Sequence, residues 1–272
     1  TGDGVNDAPA IKAADIGIAM GSGTQVSKNA SRMILSDDNF ATIIKAVERG
    51  RMVFDNLNKF VRFVIIELCA YVITFLGASI LNIAAGQPFT PSQILYINFL
   101  VNAPLGVALG MDKEASGLML RRPRPRNASI MTPGLLITSG LVGLYMAVTT
   151  LLLISYGTDQ RGGLPIGSSM GVTAFSLMIV VAAFQARSVT ASALRMETFD
   201  NPKLNWTAVV EAVLAVLITH LELMRRIFDT AQIGMSEWAL SLAPAIALFF
   251  VWEVGKLIAR QRSPHPAGHH DG

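Results

Sequence analysis

Six apolar runs, each about 20 residues long, restrict this chain more than any other feature of its sequence. A helix of that length crosses a bilayer core and satisfies its own backbone hydrogen bonds there. The composition agrees, since 51% of the residues are hydrophobic and 15% are charged. We predict a multi-pass membrane protein, embedded in the lipid bilayer as an all-α bundle of six helices. The runs are Phe60 to Leu81, Ser92 to Gly110, Gly134 to Tyr156, Ser169 to Phe184, Trp206 to Met224 and Trp238 to Ile258.

The cationic residues lie mainly between the apolar runs and predict the topology. If the first run enters the membrane from the cytosol, the opposite loops carry mainly Arg161, Arg225 and Arg226. That asymmetry follows the positive-inside rule and places residues 1–59 and the C-terminus in the cytosol. It also accounts for the net charge of +3 without a nucleic-acid partner. The cations on the cytosolic side are Lys113, Arg121, Arg122, Arg124, Arg126, Arg187, Arg195, Lys203, Lys256, Arg260 and Arg262.

The chain begins with a polar loop, Thr-Gly-Asp-Gly-Val-Asn-Asp. Gly2 and Gly4 allow close approach of a phosphate to the backbone. Mg²⁺ usually takes one or two carboxylates together with water and phosphate oxygens, so we predict Asp3 as a magnesium ligand. Asn6 and Asp7 would order the outer side of the site. The alternative is an ordinary turn, because Gly, Asn and Asp are common turn residues.

The residues after this loop predict alternating helices and strands. We expect a helix over Ala8 to Ala14, a strand over Ile16 to Met20, a helix over Thr24 to Ala30 and a strand over Met33 to Leu35. This order suits the edge of a doubly wound parallel sheet. Ligands of such sheets bind at the carboxyl ends of the strands, where the first loop would lie.

The run TGDGVNDAPAIKAADIGIAMG, residues 1–21, closely resembles the hinge signature of P-type ATPases. The resemblance continues through Asp37-Asp38-Asn39-Phe40 and Gly50-Arg51, looks most like the calcium-pump branch, and weakens over the last three helices. It implies that Asp3 binds magnesium and that Asp7 helps to hold a phosphorylated aspartate. It also implies ATP hydrolysis through an aspartyl-phosphate intermediate, which drives a cation across a membrane. The resemblance favours calcium as the cation, and we expect the membrane to be the plasma membrane.

The same resemblance implies a division of the chain. Residues 1–40 would end an α/β haloacid-dehalogenase-like phosphorylation domain, 41–59 would form a cytosolic stalk helix, 60–262 the transmembrane domain and 263–272 a flexible tail. The sequence opens inside the motif without an initiator methionine. We therefore expect an upstream part of the same chain that carries the phosphorylated aspartate and most of the ATP site, and we expect this fragment alone to be inactive.

No proline interrupts the sequence from Ala41 to Leu81, which predicts one helix about 60 Å long. Such a rod fits the mechanical coupling that the resemblance implies, and the alternative is a stalk without coupling. Arg62 lies near the cytosolic edge and is expected to be an interfacial anchor. Glu67 lies deeper, where a carboxylate usually faces a polar pathway, and the alternative is a structural ion pair with Arg62 or a neighbouring helix.

The second run carries a candidate site for the transported cation. Asn98 and Asn102 are four residues apart and share one helical face. Pro104 cannot donate to the carbonyl of Leu100, and hard cations prefer such oxygen ligands. The spacing alone equally permits two asparagines that hold helices together. The resemblance of Ile94 to Asn102 to the ion-binding helix of calcium pumps favours transport, with Glu67, Asn98 and Asn102 as ligands.

The sequence lacks several ligands that calcium pumps carry. The resemblance implies an acid where this chain has Asn102 and a hydroxyl where it has Val101. It also implies an asparagine at Leu68, a glutamate at Tyr71 and an acid near Ile179. Glu67 is one candidate for a replacement ligand. The ion is therefore calcium, another divalent metal, a monovalent cation or a proton. Two further alternatives are a non-pumping protein, as a passive conduit or structural remnant, and a phosphatase tethered to membrane helices.

Ionisable residues in the last two runs are expected to be structural. We place those of the fifth run at the membrane interface and those of the sixth in ion pairs along one helical face. The two groups are Glu211, His220 and Glu222, and Glu253, Lys256 and Arg260.

Overall fold

The structure, a computed structural model, describes the chain as two compact units. The first unit comprises Thr1–Asp55 and Glu114–Pro123, and the second comprises Asn56–Lys113 and Arg124–Gly272. Arg126, Arg195 and the predicted tail, residues 263–272, lie outside the described residues. The described residues are 1–115, 117–125, 129–189, 191–193 and 199–262.

The first unit contains the predicted alternation of helices and strands. Its elements are a 3-10 turn Val5–Asp7, α1 Ala8–Ala13, β1 Ile18–Met20, α2 Gln25–Ala30 and β2 Met33–Leu35. The two strands are parallel, with Ile18 opposite Met33. Gly2 forms a parallel bridge with Ala19, so the first loop begins beside β1. The first strand starts two residues later than predicted because the chain turns at Asp15 and Ile16.

Helix α3, Phe40–Leu81, is one continuous helix of 42 residues, as the absence of proline predicts. Asp37 stabilises its start, since its carboxylate accepts hydrogen bonds from Thr42 Oγ1 at 2.6 Å and from Asn39 N at 3.2 Å. The hydrogen bond from Thr42 and then that from Asn39 lower the pKa of Asp37. The helix ends where Asn82 adopts a left-handed conformation, φ 52°.

The rest of the second unit is helical, and six helices of the described chain are long and apolar enough to cross a membrane. This confirms the predicted class, a six-helix membrane bundle after an α/β segment. The fourth membrane helix, Leu164–Ala186, is the most buried of the six and packs against the second, third, fifth and sixth. The elements after α3 are a 3-10 turn Ile83–Gly86, α4 Pro91–Leu95, a π-helix Tyr96–Asn102, α5 Ala103–Gly110, α6 Pro133–Gly157, a π-helix Thr158–Gly162, α7 Leu164–Ala186, α8 Pro202–His220, α9 Glu222–Phe228 and α10 Met235–Arg262.

The fifth apolar run differs from its prediction. Helix α8 ends at His220, where Leu221 is extended, and the separate helix α9 follows. Glu211 therefore lies in the middle of a membrane helix and is 2% exposed. The expectation that Glu211 is interfacial is wrong, because the helix begins at Pro202, before the apolar run itself. His220 and Glu222 are exposed at the break between the two helices.

A polar cluster joins the start of the second membrane helix, the start of the fourth and the end of α9. Gln93 is fully buried, accepts from Ser168 Oγ at 3.0 Å and donates to the Asp229 carbonyl at 3.0 Å. Ser92 Oγ donates to the Asp229 carboxylate at 2.9 Å. The loops that meet here are those that the positive-inside rule places outside the cytosol.

Candidate functional site

Asp7 organises the first loop through its carboxylate. Its Oδ2 accepts hydrogen bonds from Gly4 N at 2.9 Å and from Asp3 N at 3.0 Å. These two bonds, the one from Gly4 first, lower the pKa of Asp7 below its ordinary range. Gly2 makes room for this side chain, because a Cβ on Gly2 would lie 2.4 Å from the Cβ of Asp7. Asp7 therefore holds the loop that presents Asp3.

The backbone of Asp3 is fixed, whereas its side chain is free. The Asp3 carbonyl accepts from Thr24 N at 2.8 Å and from Ser27 Oγ at 3.0 Å. Its carboxylate is exposed and makes no hydrogen bond within the described part of the chain, and the same holds for the side chain of Asn6. A positioned carboxylate without a competing partner fits a magnesium ion that takes its other ligands from phosphate and water.

A second loop, Gly21 to Gly23, lies beside Asp3 and was missed in the sequence analysis. A Cβ on Gly23 would lie 3.0 Å from the Asp3 carbonyl oxygen. Asp38 closes this loop by accepting from Gly21 N at 2.5 Å and from Ser22 N at 3.2 Å. Hydrogen bonding by the Ser22 side chain, followed by that of the two amides, lowers the pKa of Asp38. Among residues 1–115, 117–125, 129–189, 191–193 and 199–262, no group of three metal-binding side chains forms a complete metal site.

Within the membrane bundle, Glu67 and Asn102 adjoin each other. Glu67 is 5% exposed, and its Oε1 and the Oδ1 of Asn102 are both buried with no hydrogen-bond partner in the described part of the chain. Leu68, the next residue, is 55% exposed. The inward orientation of Glu67 brings a carboxylate to the second membrane helix although position 68 is apolar.

The second membrane helix is broken where the site residues lie. Tyr96–Asn102 is a π-helix, and the Ala103 N–H donates to Asn98 O, five residues back. Single π-helical turns inside α-helices often mark functional sites. Pro104 has no N–H, so the change from π to α pairing leaves one carbonyl of Phe99 and Leu100 without its helical donor. The sequence predicted a free carbonyl at Leu100, and in the structure the free carbonyl belongs to either Phe99 or Leu100.

Asn98 is already partly hydrogen-bonded. Its Nδ2 donates to Ile94 O at 2.9 Å and to the Tyr71 hydroxyl at 3.4 Å. Tyr71 in turn packs edge-on against Phe175, with ring centroids 5.1 Å apart. Val101 and Ile179, where the resemblance implies polar ligands, are buried apolar residues. The structure thus brings Glu67 and Asn102 together and connects Asn98 to Tyr71.

Arg62 contacts the end of α7 and does not neutralise Glu67. Its Nη1 donates to Ala186 O at 2.7 Å, one of the carbonyls that a helix end leaves without a donor. Within the described residues, Glu67 has no ion-pair partner. The structural ion pair between Arg62 and Glu67, an alternative from the sequence, is absent from that part of the chain.

A buried charged cluster surrounds Asp112 and was not predicted from the sequence. Asp112 pairs with Lys59 at 2.9 Å and with Arg187 at 2.7 Å, and its Oδ1 accepts from Asn201 at 3.1 Å. Burial by itself would raise the pKa of Asp112, but hydrogen bonds from Arg187 and Lys59 more than offset it and lower the pKa. The signal in the sequence was an acid directly after an apolar run, on the same predicted side of the membrane as the loops rich in Lys and Arg.

On the last helix, Glu253 lies 3.7 Å from Lys256, in agreement with a structural ion pair. Glu253 also accepts from Ala193 N at 2.9 Å and from Ser192 Oγ at 2.5 Å. The carboxylate therefore binds the segment that follows α7.

The family model described as "Cation transporting ATPase, C-terminus" matches residues 86–258, well over half of the chain. The chain belongs to the cation-transporting P-type ATPases. A second family model, "haloacid dehalogenase-like hydrolase", matches residues 1–47 and agrees with the α/β elements of the first unit. The six apolar helices and this membership make it a multi-pass membrane protein. ATP and Mg²⁺ are used throughout this family.

Several relatives align with nearly all of this P-type ATPase chain. The "Probable cation-transporting ATPase F" of Mycobacterium tuberculosis (strain ATCC 25618 / H37Rv) is 36% identical over 267 residues, 98% of this chain. The "Calcium-transporting ATPase 1" of Schizosaccharomyces pombe is 36% identical over 265 residues, 96% of the chain. That of Lactococcus lactis subsp. lactis is 36% identical over 263 residues, 95% of the chain. The chain spans 29% of the length of each of these relatives.

Proposed function

We propose that this chain is the C-terminal part of an ATP-driven cation pump that works through an aspartyl-phosphate intermediate. The observation that carries the proposal is the pair of buried, unpartnered oxygens on Glu67 and Asn102, next to a broken membrane helix. Buried polar atoms without partners are uncommon, and an ionisable group inside a membrane usually belongs to an ion pathway. Asn98 would contribute from the same helix.

The energy-supplying end of the pump is the loop from Thr1 to Asp7. Asp3 would hold Mg²⁺, which when bound offsets the negative charge of phosphate oxygens. Asp7 keeps the Asp3 and Gly4 amides in place, and Gly2 gives Asp7 the necessary space. The phosphorylated aspartate and most of the ATP site would belong to an upstream part of the same chain, which is why we expect the fragment alone to be inactive.

The nature of the transported ion follows from the ligands present. Glu67 supplies one negative charge, and Asn102 and a free carbonyl of the Phe99–Leu100 pair supply neutral oxygens. Such oxygens suit Ca²⁺, which takes six to eight of them. Full charge compensation of a divalent ion then needs ligands from the upstream part of the chain. We propose calcium, as in the relatives named for it, or another cation that this oxygen set accepts.

Residues 1–59 and the C-terminus would be cytosolic in a plasma-membrane protein. The positive-inside distribution supports this orientation. The two polar clusters agree with it, because the Asp112 cluster joins loops predicted to be cytosolic and the Gln93 cluster joins loops predicted to be opposite. Coupling between the two ends of the pump would run along helix α3, which contributes residues to both units.

The test is an ion screen of phosphoenzyme formation by the full-length protein in lipid vesicles. Glu67→Gln and Asn102→Ala should each raise the ion concentration for half-maximal phosphorylation about tenfold or more, equivalent to about 1.4 kcal/mol. Leu68→Ala, at an exposed position on the same helix, is the matched control and should change it little. An unchanged ion response in both site variants would refute the transport site.

A separate variant tests the phosphate end. Asp3→Asn should abolish magnesium-dependent phosphoenzyme turnover while the melting temperature stays the same, because the Asp3 side chain makes no contact that folding needs. Normal turnover in this variant would refute the role of Asp3. If no cation changes the ATPase rate of the wild type, the protein is a passive conduit, a structural remnant or a tethered phosphatase.

A further inference from the structure

Glu211 is a carboxylate at the centre of the membrane bundle that the proposed pump cycle does not use. It lies nine residues from each end of α8, Pro202–His220, or about 13 Å along the helix in either direction. It is 2% exposed, and neither of its carboxylate oxygens has a hydrogen-bond partner among the described residues. This residue is therefore buried far from both ends of its helix.

In the part of the chain that the structure describes, Glu211 has no ion-pair partner. Helix α8 packs against α5, α7 and α9. Helices α5 and α7 contain no Asp, Glu, Lys, Arg or His. The charged groups on α8 and α9 lie at or beyond the ends of α8, far from its middle: Lys203, His220, Glu222, Arg225 and Arg226. Arg226 is already paired with Glu222.

The phenol of Tyr96 interacts electrostatically with Glu211. Tyr96 belongs to the π-helix and is fully buried, and within the described residues its hydroxyl also lacks a hydrogen-bond partner. Ser176 on α7 is close to this phenol, and its hydroxyl donates to Val172 O at 2.7 Å. The group that these contacts place near Glu211 is thus a neutral phenol, with a neutral hydroxyl beside that phenol.

An ionised carboxylate in such a place requires a bound positive charge, because burial without a partner strongly disfavours it. A metal cation needs several oxygen ligands at once. A proton needs none, because it converts the carboxylate into a neutral acid. Among the described residues, no group of three or more His, Cys, Asp or Glu side chains could hold a metal ion, at Glu211 or elsewhere, and this favours the proton over a metal cation.

We propose that Glu211 is a proton-binding site inside the membrane domain, on a different helix from Glu67 and Asn102. The site takes a single proton and remains neutral while the bundle is closed around it. The inference does not depend on whether the protein pumps, since it concerns the protonation of one buried side chain. It assigns to α8 a polar site that none of the expected cation ligands occupies.

The first experiment uses dicyclohexylcarbodiimide, which modifies protonated carboxyl groups in apolar surroundings, on the full-length protein in lipid nanodiscs. Mass spectrometry should find the adduct on Glu211 at neutral pH, with at least a tenfold loss of labelling at a pH high enough to ionise the group. At constant pH, saturating Na⁺, K⁺ or Ca²⁺ should leave the labelling unchanged. Suppression of labelling by one of these ions would overturn the proton assignment in favour of a cation site.

Infrared spectroscopy tests whether Glu211 is protonated even if the carbodiimide does not reach the residue. Glu211→Gln is close in shape to the protonated acid and should fold with an unchanged melting temperature. It should remove one absorption band of a protonated carboxylic acid that the wild type shows at neutral pH. Glu222→Gln, at an exposed position beside Arg226, is the control and should remove none. A spectrum without such a loss in Glu211→Gln would show that Glu211 is ionised and would overturn the proposal.

Discussion

Arg187 binds Asp112 through two hydrogen bonds, from Nη2 to Oδ1 at 2.7 Å and from Nε to Oδ2 at 2.9 Å. Arg187 follows the fourth membrane helix and Asp112 follows the second. Lys59 on α3 adds a third bond to Asp112, at 2.9 Å. One nearly inaccessible carboxylate therefore ties together three membrane helices on the side of the bundle that is predicted to be cytosolic.

Removal of that carboxylate should destabilise the membrane domain strongly. Asp112→Ala removes the buried anion that Lys59 and Arg187 share and leaves Asp200 as an anionic partner of Arg187. We expect a loss of about 3–5 kcal/mol in the free energy of unfolding. Arg226→Ala is the control, because it breaks an exposed pair with Glu222 and should cost at most about 0.5 kcal/mol. Denaturant unfolding of the full-length protein in micelles measures both. Equal small losses would contradict a structural role for Asp112.

The Asp112 carboxylate should make the free energy of unfolding depend on pH in the acidic range. The pKa of Asp112 is lower in the folded protein than the ordinary value of about 3.9. Its contribution is therefore fully present above that ordinary value and is lost as the pH falls through the lower, folded pKa. Unfolding measured from neutral pH down to pH about 3 should show a steeper loss in the wild type than in Asp112→Asn. Parallel curves would contradict the prediction.

The two glycines of the first loop should differ in their tolerance of a methyl group. Gly2→Ala places a Cβ 2.4 Å from the Cβ of Asp7, so Asp7 must move and release the Asp3 and Gly4 amides. Gly4→Ala places its Cβ 3.5 Å from the Asp7 carboxylate, an ordinary contact. We expect phosphoenzyme turnover of the full-length protein to fall at least tenfold in Gly2→Ala. Gly4→Ala should preserve the melting temperature, and a fall in turnover there would indicate close approach of phosphate to Gly4.

Protonation of Asp7 should loosen the loop that it organises. Hydrogen bonds from Gly4 and Asp3 lower the pKa of Asp7, so the ordered loop is stable above the ordinary Asp pKa and loosens as the pH falls through the lower one. Amide hydrogen exchange at Gly4, corrected for the intrinsic rate at each pH, should show protection that disappears on acidification. Asp7→Ala should lack this protection at every pH, and persistent protection in that variant would contradict the assignment.

The contact between α6 and α7 should depend on one glycine. A Cβ on Gly167 would lie 2.3 Å from the Ile154 carbonyl oxygen, and backbone atoms cannot yield as a side chain does. We expect Gly167→Ala to cost about 1–3 kcal/mol, as overpacking does. A Cβ on Gly140, in α6, would meet no atom within 4 Å, so Gly140→Ala should leave stability the same or raise it by about 0.5–1 kcal/mol. Thermal unfolding in micelles compares the two, and equal midpoints would contradict a tight helix contact.

The sequence predicts most of the secondary structure because the relevant signals are local. The helix predicted from Ala41 to Leu81 matches α3 to within one residue, and strand β2 begins and ends where predicted. The break at Leu221 was missed, since the apolar composition continues across it. The π-helical form of Tyr96–Asn102 was also missed. Its only local signal is Pro104, which indicates a lost hydrogen bond but not how the preceding turn rearranges.

The candidate sites likewise contain some features that follow from the sequence and others that do not. The sequence by itself determined the membrane class, the polar loop around Asp3 and Asp7, and Glu67 as a carboxylate deep in an apolar run, because these follow from composition and spacing along one segment. Only the tertiary structure decided that Glu67 meets Asn102, that Asp112 binds Lys59 and Arg187, and that Glu211 has no hydrogen-bond partner among the described residues. Those relationships join residues far apart in the chain. They depend on which helices pack together and which side of each helix turns inward, and neither is encoded in any single stretch of sequence.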